Sequence, residues 1–168
     1  MKRWKPGINL LALLAGLIMV MAMFFPWWSY QLAYSPRTDL YPYLLSGPAS
    51  EFLGYKRSPQ MALLSGVLVV SILLCFIGGL WRGWGGRITL CASSLLVALA
   101  IWRLLVRIEN VTDRFHVPLQ GKTIGSLDGF AAVEVTTWFR PGLYLIVIGC
   151  VLALLAGIFH SKLWVQIE

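Results

Sequence analysis

Four separate apolar runs of about twenty residues each most limit what this chain can fold into. A helix of that length matches the thickness of a bilayer core, about 30 Å. Only 12% of the 168 residues are charged, against roughly 25% in soluble domains. The expected fold is therefore an all-α membrane protein, a four-transmembrane-helix bundle that forms one domain over residues 1–168. Its spans are predicted at about 8–28, 61–81, 88–106 and 141–160.

The first run follows a cluster of basic residues and in this respect is similar to a signal peptide. Its apolar stretch is longer than the roughly 7 to 15 residues of a cleaved signal, and the bulky segment from Phe24 to Trp28 is a poor site for signal peptidase. The first span is therefore expected to be a retained membrane anchor.

Lysine and arginine are dense in three short segments beside the spans, namely the N-terminus, the turn at 82–87 and the tail from Ser161. Cytoplasmic flanks of membrane spans carry such an excess. Both termini and the turn are therefore predicted to be cytoplasmic, with exported loops at about 29–60 and 107–140. This orientation accounts for the net charge of +7, so membrane lipids and not nucleic acid are the expected partners of the basic residues. The predicted location is the cell membrane, with several crossings.

The tryptophan positions agree with these boundaries, because tryptophan is enriched where a membrane meets water. Trp81 and Trp84 are expected to anchor the inner boundary of the bundle. Trp27, Trp28 and Trp138 are expected to anchor the outer boundary.

Arg103 is the charged residue that lies furthest inside a predicted span. A helix rises about 22 Å from Ile88 to Arg103, less than the thickness of the bilayer core, so the guanidinium is expected to extend outward. If the helix continues, Arg103, Arg107, Asn110 and Arg114 share one stripe of its surface. We interpret Arg103 and Arg107 as interface anchors for lipid phosphates, with a docking face for an acidic partner as the alternative.

Two runs of alternating polarity in the exported loops predict short strands. One covers residues 30–34 and the other residues 133–137, the second after an Asp128-Gly129 turn signal. The two strands are expected to pair into a small β cap on the bundle. Tyr30 and Tyr34 in the first run are the candidate loop contacts, since aromatic side chains are enriched at protein interfaces.

Four spans, cytoplasmic termini, a short inner turn and two outer loops together resemble the layout of claudin-like tetraspan proteins. The resemblance extends over the whole chain and concerns topology alone. Loop one contains no cysteine pair and no Gly-Leu-Trp signature, so no functional residue is carried over from that family.

Two spans carry small residues at four-residue spacing, a pattern that lets helices approach closely in lipid. Packing within this bundle is the preferred interpretation of both faces, with contact to a second membrane protein as the alternative. The faces consist of Ser71, Cys75 and Gly79 in the second span and Gly149, Ala153 and Gly157 in the fourth.

No catalytic, cofactor-binding or metal-binding residue is predicted, because the sequence contains no Walker loop, nucleophile elbow or dinucleotide fingerprint. His116 and His160 fall on opposite sides of the predicted membrane and so cannot share a metal ion. His160 is interpreted as an interfacial residue at a helix end. The arrangement that would indicate an enzyme is His116 beside loop acids such as Glu109 and Glu134.

These observations favour a non-catalytic integral membrane protein that serves as an accessory or scaffold subunit of a larger membrane complex. Its expected partners are other membrane protein subunits. Two alternatives stay open at this point. A small channel or lipid-handling transporter would have a cavity between the spans, and a membrane enzyme would have a site on the exported side.

Overall fold

The computed structural model describes residues 7–33, 35–48, 58–114, 116–125 and 133–166. The chain divides into two compact units. The first unit comprises Met1–Met21, Gly66–Leu99 and Leu145–Glu168, and the second comprises Ala22–Ser65 and Ala100–Tyr144.

Four helices of fifteen residues or more are present in the described ranges, and they coincide with the four apolar runs. Two of them begin with proline, whose fixed φ angle and missing N–H suit the first position of a helix. Ser58 precedes one of these prolines, and its hydroxyl accepts the backbone N–H of Met61 at 3.2 Å, as an N-cap does. The helices are α1 (Leu10–Phe24), α2 (Pro59–Leu80), α3 (Trp84–Arg114) and α4 (Pro141–Ile158).

Three of these helices, α2, α3 and α4, are long and apolar enough to cross a membrane, with mean hydropathies of 2.6, 2.0 and 2.4. The helix α1 has 15 residues, about 22 Å of rise, and is shorter than the predicted span of 8–28. It is shorter because the chain leaves the helix at Phe24 and enters a strand at Trp28. By length and composition the chain is thus a helical membrane protein with three candidate spans.

The outward sides of the helices carry large apolar side chains, as expected of surfaces that face lipid. In water such continuous apolar surface would promote aggregation. Among the most exposed are Leu17 on α1, Leu63 and Leu73 on α2, Leu95 on α3 and Val151 on α4.

The helix α3 has 31 residues and continues to Arg114, past the predicted span end at 106. No proline or glycine interrupts it between Ile88 and Arg114, so nothing in the sequence ends it at the membrane boundary. Arg103 and Arg107 therefore lie on one unbroken helix.

Both loops that were predicted to be exported contribute strands to one five-stranded antiparallel sheet. Its strands are β2 (Trp28–Leu32), β3 (Thr38–Leu40), β4 (Leu45–Ser46), β5 (Gly121–Gly125) and β6 (Val133–Phe139). The strand order in the sheet is β4-β3-β2-β6-β5. The predicted strands at 30–34 and 133–137 correspond to β2 and β6, which pair with Tyr30 opposite Thr137. The expected pairing of these two runs is therefore confirmed, and the sheet is larger than expected, so the all-α class describes only the helical part of the chain. The Asp128-Gly129 turn lies outside the described residues.

A second, two-stranded sheet joins β1 (Gly7–Asn9) to β7 (Trp164–Gln166) in antiparallel register. The strand β1 directly precedes α1, and β7 follows α4 after a short turn. No pattern in the sequence predicts this sheet. It holds the segment before α1 against the segment after α4.

Candidate functional site

The five-stranded sheet has a buried face and an exposed face. On the buried face, Trp28, Thr38, Val135 and Thr137 are each less than a tenth exposed. The Thr137 hydroxyl donates to the carbonyl of Pro118 at 2.7 Å and ties the strand to the loop. On the opposite face, exposed side chains lie on three neighbouring strands: Gln31 on β2, Glu134 on β6, and Lys122 and Ile124 on β5.

Trp27 and Trp28 are part of the core of the second unit. Trp27 is fully buried, and its indole N–H donates to the carbonyl of Ala22 at 2.9 Å. Trp28 is 8% exposed, and its indole N–H donates to the carbonyl of Leu119 at 3.0 Å. Side chains so enclosed offer no surface to lipid, which corrects the expectation that this pair anchors the outer boundary. Trp138, on β6, is half-buried.

Gly142 explains how the Trp27 ring is accommodated. A Cβ atom added at Gly142 would lie 2.5 Å from Cδ1 of Trp27 and 2.5 Å from the carbonyl oxygen of Phe25. The backbone N–H of Gly142 donates to the carbonyl of Pro26 at 3.0 Å. The start of α4 thus approaches the segment 25–27 too closely for any side chain at position 142.

Tyr30 is half-buried beside Trp28, with the two ring centroids 5.6 Å apart. Burial raises the pKa of the Tyr30 hydroxyl, and a hydrogen bond with Thr38 acts in the opposite direction. Tyr30 therefore serves packing within the sheet. Tyr34, the other predicted loop contact, lies outside the described residues.

A polar trio that runs from the buried Ser29 through the half-buried Asp39 to the exposed Arg37 links β2 to β3. The hydroxyl of Ser29 donates to the carboxylate of Asp39, its partner in the strand register. Arg37 forms an ion pair with the same carboxylate, with Nε 2.9 Å from Oδ1. Ser29 is fully buried and has no histidine as a base in this trio, so the arrangement is that of a structural hydrogen bond and not of a nucleophile.

The strand β5 lies at the edge of the sheet and pairs with β6 along one side. Ile124 of β5 is 73% exposed on the face that is otherwise polar. Lys122 forms an exposed ion pair with Glu134 across the strands, at 3.3 Å. A hollow of about 210 Å³ lies beside this pair, lined also by Gln31, Leu32, Ala33 and Thr136.

In the first unit, the predicted small-residue face of α2 packs against α1 and α3. The thiol of Cys75 lies 3.3 Å from the carbonyl of Ala12 on α1. A Cβ at Gly79 would lie 3.1 Å from the Cβ of the same alanine. The carbonyl of Ser71 accepts the hydroxyl of Ser93 on α3 at 2.7 Å.

The small-residue face of α4 packs within the first unit in the same manner. A Cβ at Gly149 would lie 2.7 Å from Cγ of Met19 on α1, and one at Gly157 would lie 3.0 Å from Sγ of Cys91 on α3. Ala153, between them, is fully buried. Both small-residue faces therefore contact this chain's own helices, which favours the preferred interpretation of packing within the bundle.

A buried polar cluster in the first unit was missed by sequence analysis. The side-chain oxygen of Asn9 accepts the backbone N–H of Ala12 at 3.2 Å and caps α1. The Asn9 amide group donates to the carbonyl of Ala156 and to Nδ1 of His160, each at 3.2 Å. Nε2 of His160 lies 3.1 Å from the carbonyl of Trp81, at the end of α2. The cluster thus joins the start of α1 to the last turns of α2 and α4.

The hydrogen bonds assign one protonation state to His160. An amide nitrogen can only donate, so Nδ1 accepts, and the proton of the neutral ring lies on Nε2 and is donated to Trp81. His160 is 1% exposed and lies in the turn after α4. Burial lowers the pKa of His160, the hydrogen bond to Trp81 opposes this effect, and the charge of Arg87 lowers the pKa further. His160 is therefore a buried structural residue, which corrects its interpretation as an interfacial one.

Gly86 completes this cluster. A Cβ at Gly86 would lie 2.0 Å from the carbonyl oxygen of Trp81 and 2.8 Å from Nε2 of His160. The first turn of α3 can approach the imidazole only because this residue has no side chain. Gly83 permits the tight connection between α2 and α3 through a φ angle of 89°.

The remaining predicted anchors, Arg103, Arg107, Trp81 and Trp84, are all exposed, the two tryptophans at 55% and 75%. His116 is exposed, with a φ angle of 51°, and its backbone N–H donates to the carbonyl of Asp113. Within the described part of the chain, no three histidine, cysteine or acidic residues come together as metal ligands.

No protein-family model matches this sequence, and no curated protein is similar enough to it to be reported as a relative.

Proposed function

We propose that this chain is a non-catalytic accessory or scaffold subunit of a larger complex in the cell membrane, and that it contacts its partner through the edge strand β5. The observation that carries the proposal is the exposed Ile124 on that strand, outside the candidate membrane helices. Strand edges have unpaired backbone N–H and C=O groups, which invite pairing with a further strand. An added strand is a common mode of protein recognition.

Strand pairing supports four crossings, with both loops on one side of the membrane. The strand β2 follows α1 and pairs with β6, which precedes α4. Because paired strands lie on the same side of the membrane, α2 and α3 between them must cross it twice or not at all, and both are long enough to cross. The strand β1 precedes α1 and pairs with β7, which follows α4. Three crossings would separate the two termini, whereas four bring them to one side. By this argument α1 also crosses, and the density of lysine and arginine makes that side the cytoplasm.

The composition of the exposed sheet face supports contact with a protein. Ile124 sits among polar side chains, an arrangement typical of an apolar contact with a polar rim. The adjacent hollow of about 210 Å³ is below the range of roughly 300–1,000 Å³ typical of small-molecule sites. Its size suits a single inserted side chain better than a substrate.

Site-specific crosslinking in native membranes tests this proposal. A photoreactive residue is placed at Ile124 or, as the matched control, at Ser46, which is exposed on the strand β4 at the opposite edge of the sheet. We expect a discrete crosslinked membrane protein from position 124 and none from position 46. Ile124→Lys should abolish the association and leave thermal stability unchanged, because lysine is well tolerated on exposed edge strands.

Two results would contradict the proposal. The first is equal crosslinking from both edges, which would indicate random collision. The second is solute conduction or lipid turnover by the purified chain reconstituted alone, which would favour a channel, a transporter or an enzyme.

A further inference from the structure

A basic stripe on α3 has no described function in the fold. We define it as Arg103, Arg107 and Asn110, which follow one another at spacings of four and three residues and are all exposed. The buried residues of this part of α3 lie on the opposite side of the helix, at Leu104, Ile108 and Thr112. The basic stripe therefore points away from the chain's own core.

The two acids on α3, Glu109 and Asp113, do not lie three or four residues from either arginine. Side chains interact along a helix at spacings of three and four residues, and the neighbours of Arg103 and Arg107 at those spacings include no acid. Across the described residues, the ion pairs within 4.0 Å join Arg37 to Asp39 and Lys122 to Glu134, and neither involves the stripe. Two like charges four residues apart repel each other, so an anion held between them would stabilise the helix.

The position of the stripe along α3 places it near one membrane boundary. The helix is about 46 Å long, which exceeds the bilayer core of about 30 Å. The uncharged stretch from Ile88 to Trp102 precedes the stripe, and Asn110 and Asp113 follow Arg107 towards the helix end. Trp102, adjacent to Arg103, is 64% exposed, as is typical of a side chain at the level of lipid head groups.

We propose that Arg103 and Arg107 bind the phosphate of an anionic phospholipid at this boundary. Four residues of helical rise separate the backbones of Arg103 and Arg107 by about 6 Å along the axis of α3, a spacing from which two guanidinium groups can donate hydrogen bonds to one phosphate. The Asn110 amide, one turn further, supplies another donor. The lipid is favoured over an acidic protein segment because the flanking residues Trp102 and Val111 are themselves exposed apolar side chains, 64% and 47%, suited to lipid. This inference depends on the membrane placement of α3 and is independent of the proposed contact at β5.

Lipid retention by the purified full-length protein tests the proposal. The protein is exchanged into detergent containing phosphatidylglycerol or phosphatidylcholine, and the bound lipid is measured by native mass spectrometry. We expect phosphatidylglycerol to be retained in preference to phosphatidylcholine. In Arg103→Gln with Arg107→Gln its affinity should fall about tenfold or more, because charge-assisted hydrogen bonds are lost.

The matched control is Arg82→Gln with Lys162→Gln, which removes two exposed cations that lie off the stripe. This variant should retain the lipid like the parent protein. Arg103→Lys with Arg107→Lys preserves the charge but removes the two-pronged geometry of the guanidinium, and it should bind with intermediate affinity. Unchanged thermal midpoints show that the variants are folded.

Three outcomes would overturn the proposal. The stripe is not the site if the glutamine pair retains phosphatidylglycerol as well as the control pair does. The ligand is the phosphate group alone, and not a lipid, if millimolar glycerol phosphate displaces the bound phosphatidylglycerol completely. The face docks a protein if a photoreactive residue at position 103 captures an acidic membrane protein and no lipid.

Discussion

Helices of the first unit touch one another through small side chains, whereas strands of the second unit are covered by tryptophan and tyrosine. Gly79 and Gly149 bring helix backbones close together in the first unit. Trp27 and Trp28 fill the core of the second unit, each with its indole N–H satisfied by a backbone carbonyl. The hydrophobic effect does not drive helices together within lipid, so van der Waals contact and hydrogen bonds must stabilise their association. The burial of large aromatic surfaces can stabilise a sheet only where water is the alternative.

The polar groups of the two units differ in the same way. In the first unit, Asn9 and His160 are fully enclosed and join the ends of three helices. In the second unit, the buried Ser29 donates to the half-buried Asp39, and other polar side chains such as Lys122 and Glu134 pair on an exposed face. Buried polar groups are costly unless every partner is present, so the cluster of the first unit is the more sensitive to substitution.

The largest effect is expected from the aromatic core of the second unit. Trp27→Ala should lower the free energy of unfolding by about 3–5 kcal/mol, since it leaves a large cavity and removes the bond to Ala22. Trp27→Phe keeps an aromatic ring and should destabilise the protein less. Apart from the effect of its smaller volume, it loses only the hydrogen bond to Ala22, which contributes about 1 kcal/mol. Thermal unfolding in detergent micelles measures both variants.

Trp84→Ala is the control for this first prediction, because Trp84 is 75% exposed and its loss leaves no internal cavity. Hydrogen exchange localises the damage. Trp27→Ala should speed hydrogen exchange in β2 and β6, whereas the start of α1, next to Asn9, should remain protected. Equal loss of protection in both units would show that they do not unfold separately, and the contrast between them would then be wrong.

A smaller effect is expected from closing the space at Gly86 in the first unit. Gly86→Ala places a Cβ 2.0 Å from the Trp81 carbonyl and should destabilise the protein by about 1–3 kcal/mol through overpacking. Gly66→Ala on α2 is the matched control, since a Cβ there meets nothing within 4 Å and alanine favours a helix. The thermal midpoint should fall for Gly86→Ala and hold or rise for Gly66→Ala. Equal midpoints would mean that the turn adjusts without cost.

The parts of this structure that follow from local pattern were predictable. Apolar length located the four helices, and alternation at residues 30–34 and 133–137 located β2 and β6. The strand β5 was not predicted because its five residues begin and end with glycine and contain a single apolar side chain, Ile124, which gives no alternating pattern. The arginines on α3 were placed correctly on one stripe because helical spacing is a local property.

The parts that depend on distant residues were not predictable. A tryptophan at the end of an apolar run suits a lipid interface or a protein core equally well. Trp27 can enter the core because Gly142, far along the chain, leaves room for its ring. Asn9 and His160 are 151 residues apart in the sequence. The N-cap signal, an asparagine directly before an apolar run, was available for Asn9. No local pattern in the sequence indicated that the Asn9 amide would donate a hydrogen bond to His160.

The smallest effect expected is a dependence of stability on pH that originates at His160. The folded protein requires the neutral ring, because Nδ1 must accept from Asn9, and burial lowers the pKa of His160 below its ordinary value of 6.5. Between the two pKa values the unfolded chain binds the proton more readily, so stability falls as pH decreases below about 6.5 and is constant above it. Thermal midpoints measured from about pH 5.5 to 8 should show this slope, His116→Gln should retain it, and His160→Gln should remove it.

Asn9→Asp sharpens this last prediction because it should reverse the sign of the slope. A carboxylate at position 9 accepts a hydrogen bond from a protonated Nδ1, whereas the Asn9 amide donates one, so the carboxylate pairs with the charged imidazolium and raises the pKa of His160. Stability would then be greatest at low pH and would be lost as pH rises through the new pKa. The charge of Arg87, which lowers the pKa of His160, opposes this rise. A slope of unchanged sign in Asn9→Asp would mean that the pH dependence arises elsewhere and that the Asn9 and His160 cluster is insensitive to protonation.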